Sequence, residues 1–204
     1  MDTNNFFINN IEEYNKFYKL IDDCFYVDSE LPSQVFKDNY SNFLFQEFEF
    51  IMMPEFWTYI KELSKITNDE LIILGVLDPD PISYYYHCFE YFNWIKFPTS
   101  ITYDKYIEQI ETAPKESEAD SIFYNSFTIV IAPTSKKWCI WADRYFETCI
   151  IAFEKDFFSE KQLGEISMFK KIDYALESWM HYILYKDDYK TRKIISKFKK
   201  NYIY

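Results

Sequence analysis

The sequence predicts an α+β fold, with an antiparallel sheet of about four to six strands packed against N-terminal, middle and C-terminal helices. Three observations carry this expectation. Residues 127–153 hold three short runs of β-branched and aromatic residues separated by turn residues, which reads as sequential antiparallel strands. Residues 9–25, 54–67 and 188–202 place apolar side chains at helical spacing. Residues 71–77 form a short, almost wholly apolar run, the pattern of a strand covered on both faces.

Taken in chain order, Ile11, Tyr14, Tyr18, Ile21 and Phe25 form one stripe, with Glu12, Lys16, Lys19 and Asp23 turned away, giving an amphipathic N-terminal helix. Residues 43–53 alternate Glu47 and Glu49 with Phe48 and Phe50, a period of two that predicts a half-buried strand. Pro54 suits the first position of the next helix, whose inner stripe is Phe56, Ile60 and Leu63 and which ends near Thr67-Asn68-Asp69. The strand 71–77 is closed by Asp78-Pro79-Asp80-Pro81. The aromatic stretch 82–95 and the segment 101–112 are predicted as helices. Residues 113–120 are the one clearly polar loop. They mark a candidate internal boundary in what is expected to be a single domain over residues 1–204. From Ser159 the pattern turns helical, with capping-box spacing to Gln162 and a seam through Phe169, Ile172, Leu176, Trp179 and Ile183 towards Tyr185. A last helix starts near Asp188, with Ile194, Ile195, Phe198 and Tyr202 inward.

Composition limits the function classes. The chain holds 21 Phe, 19 Tyr and 5 Trp in 204 residues, but only two glycines and two histidines. Glycine lets backbone approach a phosphate or enter left-handed space, and histidine is the usual proton shuttle near neutral pH. Their scarcity favours binding over catalysis. An AT-rich genome accounts for much of the Phe, Tyr, Ile, Asn and Lys content, since these residues have A/T-rich codons. The charge distribution is more telling. Residues 1–169 carry 13 basic and 29 acidic side chains, whereas residues 170–204 carry nine and four. An acidic body opposes direct nucleic-acid binding, which requires neutralised phosphates, and it attracts a basic partner.

No apolar run approaches the ~20 residues that span a bilayer. The first residues lack a positively charged stretch ahead of an apolar one, so a cytoplasmic protein without membrane contact is expected. Cys24, Cys88, Cys139 and Cys149 show no paired spacing, which predicts reduced, mostly buried thiols rather than a metal site. No cofactor is expected.

Candidate chemistry falls on four segments. Asp78-x-Asp80 after an apolar strand resembles the first motif of haloacid-dehalogenase-type phosphotransferases. That resemblance implies Asp78 as nucleophile, Asp80 as acid/base and a bound Mg²⁺, hence a metal-dependent phosphohydrolase. The plainer reading is a strand-ending turn, which both Asp and Pro favour. His87 and Cys88 are adjacent, and adjacent residues on a helix do not face each other. The end of the chain, with Lys190, Arg192, Lys193, Lys197, Lys199 and Lys200, reads as a solvated helix face that complements the helix dipole. It leaves open a contact with the acidic body or across a homodimer.

The fourth segment, 131–153, holds Trp138, Trp141 and Arg144, one of only two arginines, between Asp143 and Glu147. One reading makes it a core hairpin in which Arg144 bridges carboxylates. The other makes the tryptophans and Arg144 exposed anchors, the residue types that dominate interface hot spots. This arrangement of alternating strand, Pro-x-Ser turn, Trp-x-Ile-Trp, Asp-Arg and aliphatic strand resembles segments of bacterial immunity proteins from polymorphic and contact-dependent toxin systems. The resemblance covers about a tenth of the chain. It implies a non-enzymatic protein that binds a cognate, basic toxin domain and occludes its active site. The interface residues expected on this view are Trp138, Trp141, Arg144, Glu47 and Glu49, with Glu116, Glu118 and Asp120 of the acidic loop. The alternative is a phage-encoded anti-defence protein or nucleic-acid mimic.

Overall fold

The computed structural model describes residues 6–155, 157, 168–186 and 188–203. Its centre is a six-stranded, wholly antiparallel sheet in the spatial order β1-β6-β5-β4-β2-β3. The strands are β1 (Tyr40–Glu47), β2 (Leu71–Asp78), β3 (Trp94–Pro98), β4 (Thr128–Pro133), β5 (Trp138–Asp143) and β6 (Thr148–Glu154). The fold is thus α+β, and β4, β5 and β6 form the expected antiparallel meander. Strands from both sides of residues 113–120 belong to this one sheet, because β2 pairs with both β3 and β4.

Both faces of the sheet are buried, so the protein has two apolar cores. On one face, Phe45, Ile73, Val130, Trp141 and Ile150 pack under α1 (Ile11–Cys24), the connection after it, α5 (Ile172–Glu177) and α6 (Tyr189–Tyr202). On the other, Leu74, Ile95, Ile131, Trp138 and Ile151 pack under α2 (Pro54–Thr67) and α4 (Tyr103–Glu111). Every residue of β5 is buried. The helices start where the sequence offers caps. Asn10, Thr102 and Asp188 accept from the amides of Glu13, Lys105 and Thr191, and Pro54 opens α2. Asn68 ends α2 in the left-handed region at φ 55°.

Several expectations need correction. The strand predicted over 43–53 stops at Glu47, and Phe48–Met52 form a 3-10 helix that drives Phe48, Phe50 and Ile51 into the core. The helix predicted over 82–95 is shorter. A π-helical turn, Pro81–Tyr86, leads into the single turn α3 (His87–Phe89), and the chain then returns as edge strand β3. Aromatic density misled here, because rings fill a strand face as readily as a helix face. The long helix predicted towards Tyr185 is interrupted: α5 ends at Glu177, Ser178 adopts φ −100°, ψ −105°, and Trp179–Tyr182 form a 3-10 turn. The capping pair Ser159 and Gln162 lies outside the described residues. Among those residues, no helix is long and apolar enough to cross a membrane.

Gly75 explains how the edge strand seats. It pairs with Trp94, whose indole lies across it and donates from Nε1 to the Val76 carbonyl at 2.9 Å. The ring also meets Tyr14 edge-on at 5.0 Å and stacks near Tyr18, tying β3 to α1. A Cβ on Gly75 would stand 2.6 Å from Trp94 Cε2. Gly75→Ala should therefore destabilise the fold by about 1–3 kcal/mol, the usual range for overpacking. Urea unfolding checks this, and shortening Trp94 to Leu in the same chain should recover part of the loss, as expected for residues in contact. Full additivity of the two changes would refute the account.

Candidate functional site

A concavity lies where the helical cover of the first face parts. Phe25 and Phe36 bridge the ends of the connection after α1, and this connection is tied to α6. Val35 N donates to Tyr202 Oη, Asn201 Nδ2 donates to the Pro32 carbonyl, and Gln34 Nε2 donates to the Asn201 carbonyl. Between this strapped loop, α6 and the ends of β2, β4 and β5 opens a cleft of about 660 Å³. Trp141, Thr128 and Leu77 contribute to its floor, Leu31, Pro32 and Ile194 to its walls, and Phe127 and Tyr145 to its rim. Phe127 and Tyr145 are 51% and 69% exposed, large values for rings of this size. A smaller recess of about 270 Å³ adjoins it through Val27, Leu77 and Asp80, and includes Tyr14, Tyr18 and Asp28.

Every charged residue of the lining is acidic: Asp28, Glu30, Asp78, Asp80 and Asp143. No lysine or arginine lines either concavity, and none of the ion pairs among the described residues involves these five carboxylates. Strand alternation places Asp143 two residues after Trp141, on the same face of β5. Asp143 is buried, and its Oδ1 accepts from the Phe146 amide at 2.9 Å. Burial pushes its carboxyl up to about 6, the backbone amides of Phe146 and Tyr145 oppose that rise, and the charges of Glu30 and Asp78 add to it. Asp80 behaves differently. Burial works upward on it, but the Ser83 amide and hydroxyl and the Ile82 amide hold it below the ordinary carboxylate range.

The residues expected as an interface are divided between the two cores and separate exposed positions. Trp138 and Trp141 are 0% and 2% exposed and enter opposite cores, because β5 is central and covered on both faces. They are not exposed anchors. Arg144 is half-buried. Its Nε donates to the Ser126 carbonyl at 2.7 Å and its Nη2 to the Phe123 carbonyl at 3.0 Å, and its guanidinium lies 4.5 Å from the Phe48 ring centroid. Burial lowers its pKa while the fields of Glu49 and Glu147 raise it. Arg144 therefore joins the β5–β6 turn to the segment before β4. Glu47 and Glu49 are exposed at the end of β1 and in the 3-10 helix, and Glu116 and Glu118 are exposed on the polar loop. Asp120 is buried, accepting from Tyr84 Oη at 2.8 Å and from Asn125 Nδ2, and so pins the loop.

Sequence reasoning found Asp78 and Asp80 but under another chemistry, and it missed Glu30, Asp28, Phe127, Tyr145 and the role of Asp143. The phosphotransferase-like arrangement gains no support from the geometry. Asp80 is committed to capping the π-helical turn, and no group of three or more His, Cys, Asp or Glu side chains among the described residues is placed to hold a metal ion. His87 and Cys88 are both exposed on α3, while Cys24, Cys139 and Cys149 are buried. No family model, curated protein or solved structure matches the chain.

A carboxyl raised in the folded state binds its proton more tightly there than in the unfolded chain. The contribution of Asp143 thus favours folding at low pH and is lost as pH rises from about 4 through about 6. Asp143→Asn retains the acceptor for Phe146 and removes the buried charge. It should raise stability at pH 7 by on the order of 2 kcal/mol, with little difference near pH 4. Denaturant unfolding at the two pH values decides this. A variant equally destabilised at both would show that the charge itself is needed for the turn.

Proposed function

We propose that the chain is a non-enzymatic binding protein whose acidic, aromatic-rimmed cleft engages a basic surface of a protein partner. The partner is a toxin domain of a polymorphic or contact-dependent system, and this chain is its immunity protein. One observation carries the binding part of the reading: carboxylates gathered around a cleft that offers them no cation, beside two rings left in water. Charge complementarity speeds encounter and suppresses wrong partners, while buried aromatic contacts hold the complex. Many toxin domains that attack nucleic acid are basic. An acidic protein seated on such a domain covers the surface that would receive phosphates, and neutralisation follows from occlusion without any reaction.

The toxin identity rests on the sequence resemblance together with this acidic surface. Its test is co-expression with toxin-like domains encoded beside the gene, scored by survival. Rescue by the full chain is the expected result, and absence of rescue by any such neighbour would remove the toxin reading.

The cleft makes its own prediction about kinetics. Glu30→Gln with Asp78→Asn alters only exposed side chains, so the fold should be unchanged. At low salt the association rate with the toxin domain should fall by about tenfold, and the gap should narrow as the Debye length shrinks to ~3 Å near 1 M salt. Stopped-flow mixing across salt concentrations measures both. An unchanged rate, with a loss instead in a Glu116→Gln, Glu118→Gln variant, would move the interface to the polar loop.

A further inference from the structure

We propose that Cys24 and Cys139 form an intramolecular disulfide when a peroxide oxidises the protein, tying the end of α1 covalently to the central strand β5. This modification goes beyond the binding role given above and does not depend on it. Of the four cysteines, only these two share a core. Cys149 enters the opposite core, and Cys88 is exposed on α3.

Contacts on either side of Cys24 bring the two residues together. Its preceding neighbour, Asp23, pairs with Lys136 of the β4–β5 turn at 3.0 Å. Its following neighbour, Phe25, packs against Trp141 of β5 with ring centroids 5.7 Å apart. Lys136 and Trp141 bracket Cys139 along the chain, and strand alternation puts Cys139 and Trp141 on the face that α1 covers. The two thiols lie within hydrogen-bonding reach of each other. The Tyr40 hydroxyl reaches both of them and donates to the Lys136 carbonyl at 2.8 Å. A buried cysteine commonly serves as a small apolar filler. Two thiols set against each other and against one hydroxyl are instead an oxidisable pair.

The surroundings divide the roles. The hydrogen bond with Cys139 lowers the Cys24 thiol, burial opposes it, and Tyr40 and the charge of Lys136 lower it further. Burial pushes the Cys139 thiol up. The thiolate is the nucleophile, so Cys24 attacks and Cys139 resolves. The Cys24 sulfur takes one oxygen of hydrogen peroxide as the O–O bond breaks, giving a sulfenic acid and one water. The Cys139 sulfur then attacks the Cys24 sulfur, the S–O bond breaks, and the hydroxyl leaves with the Cys139 proton as a second water. The sulfurs together give up two electrons and two protons, and the peroxide is reduced to two waters. Both thiols are buried, and peroxide, little larger than water, enters when the last turn of α1 opens. The ion pairs Asp22–Lys37 and Asp23–Lys136 that fasten this turn are partly exposed, so they hold it weakly. Cys24 stands just before the loop whose Leu31 and Pro32 wall the cleft, and the disulfide roots that wall on β5.

The test uses the full chain carrying Cys88→Ser, which removes the exposed thiol and its cross-links between chains. The folded protein is treated with dilute hydrogen peroxide, quenched with catalase, unfolded in guanidinium with N-ethylmaleimide, and mapped by mass spectrometry. The expected product has lost two hydrogen atoms, holds a Cys24–Cys139 peptide pair, and leaves Cys149 alkylated. Its Tm should rise by about 10 °C, as expected for closing a long loop, and return on treatment with dithiothreitol. Adding Cys139→Ala should stop the reaction at a sulfenic acid on Cys24, which dimedone captures on unfolding, whereas Cys24→Ala should leave Cys139 a free thiol. If either variant fails to fold, the peptide map of the parent chain still decides. Peroxide-treated protein in which both Cys24 and Cys139 remain open to N-ethylmaleimide would overturn the proposal. So would a disulfide that joins Cys149, or one found only between chains. A dimedone adduct on Cys139 in Cys24→Ala, with none on Cys24 in Cys139→Ala, would overturn the mechanism by reversing the two roles.

Discussion

The structure depends on a sheet that has no solvent face. An antiparallel sheet commonly leaves one face to water and shows it as a clean alternation of apolar and polar residues. Here β5 lies in the interior of the sheet with all six of its residues buried, so neither face can be left uncovered. Trp138 points into one core and Trp141 into the other, and the chain must supply two covering layers from its remaining residues. The aromatic content becomes useful at this point. Trp57 stacks on Tyr106 at 4.6 Å to join α2 to α4 over one face, and Phe36, Phe43 and Phe45 surround Tyr202 over the other. Large rings let short helices cover a wide sheet.

The two layers are built differently, and the difference creates the cleft. One face is covered by α2 and α4 from the middle of the sequence. The other is covered by α1 and α6 from opposite ends, joined through the loop that Tyr202 and Asn201 hold in place. A layer assembled from distant segments leaves a gap where its parts diverge, and this gap falls over the ends of β2, β4 and β5. Strand termini are where polar residues close the ladder, so Asp78 and Asp143 come to the gap by the same geometry that ends their strands. Phe146 limits the opening, since its ring packs edge-on against Phe198 of α6 at 5.0 Å.

Much of this was legible locally and little of it at long range. Period-two alternation and turn residues located β4, β5 and β6, and the apolar run at 71–77 marked an inner strand. Trp138, Trp141 and Arg144 drew attention to the β5–β6 hairpin as exposed anchors, whereas both tryptophans are core residues. Sequence gives the alternation of Trp138, Trp141 and Asp143 but not the number of strands flanking them, and that number decides whether a tryptophan is an anchor or a core residue. The Glu30-Leu31-Pro32 segment carries no local signal, because its role comes from α6, about 170 positions away in the chain. Asp120 likewise looked like part of an exposed acidic loop. Its partners, Tyr84 and Asn125, make it a structural pin, and only the fold could show that pairing.

Asp143 is the residue whose presence asks most of the structure. It receives the Phe146 amide in a turn of a kind that an asparagine would serve equally well. Asparagine would do so without a buried charge and without the repulsion of Glu30 and Asp78. The turn therefore explains the acceptor but not the ionisable group. A carboxylate kept at a cost to the isolated fold makes physical sense where a cation arrives later, because the penalty has been met before encounter and the attraction is then recovered in the complex.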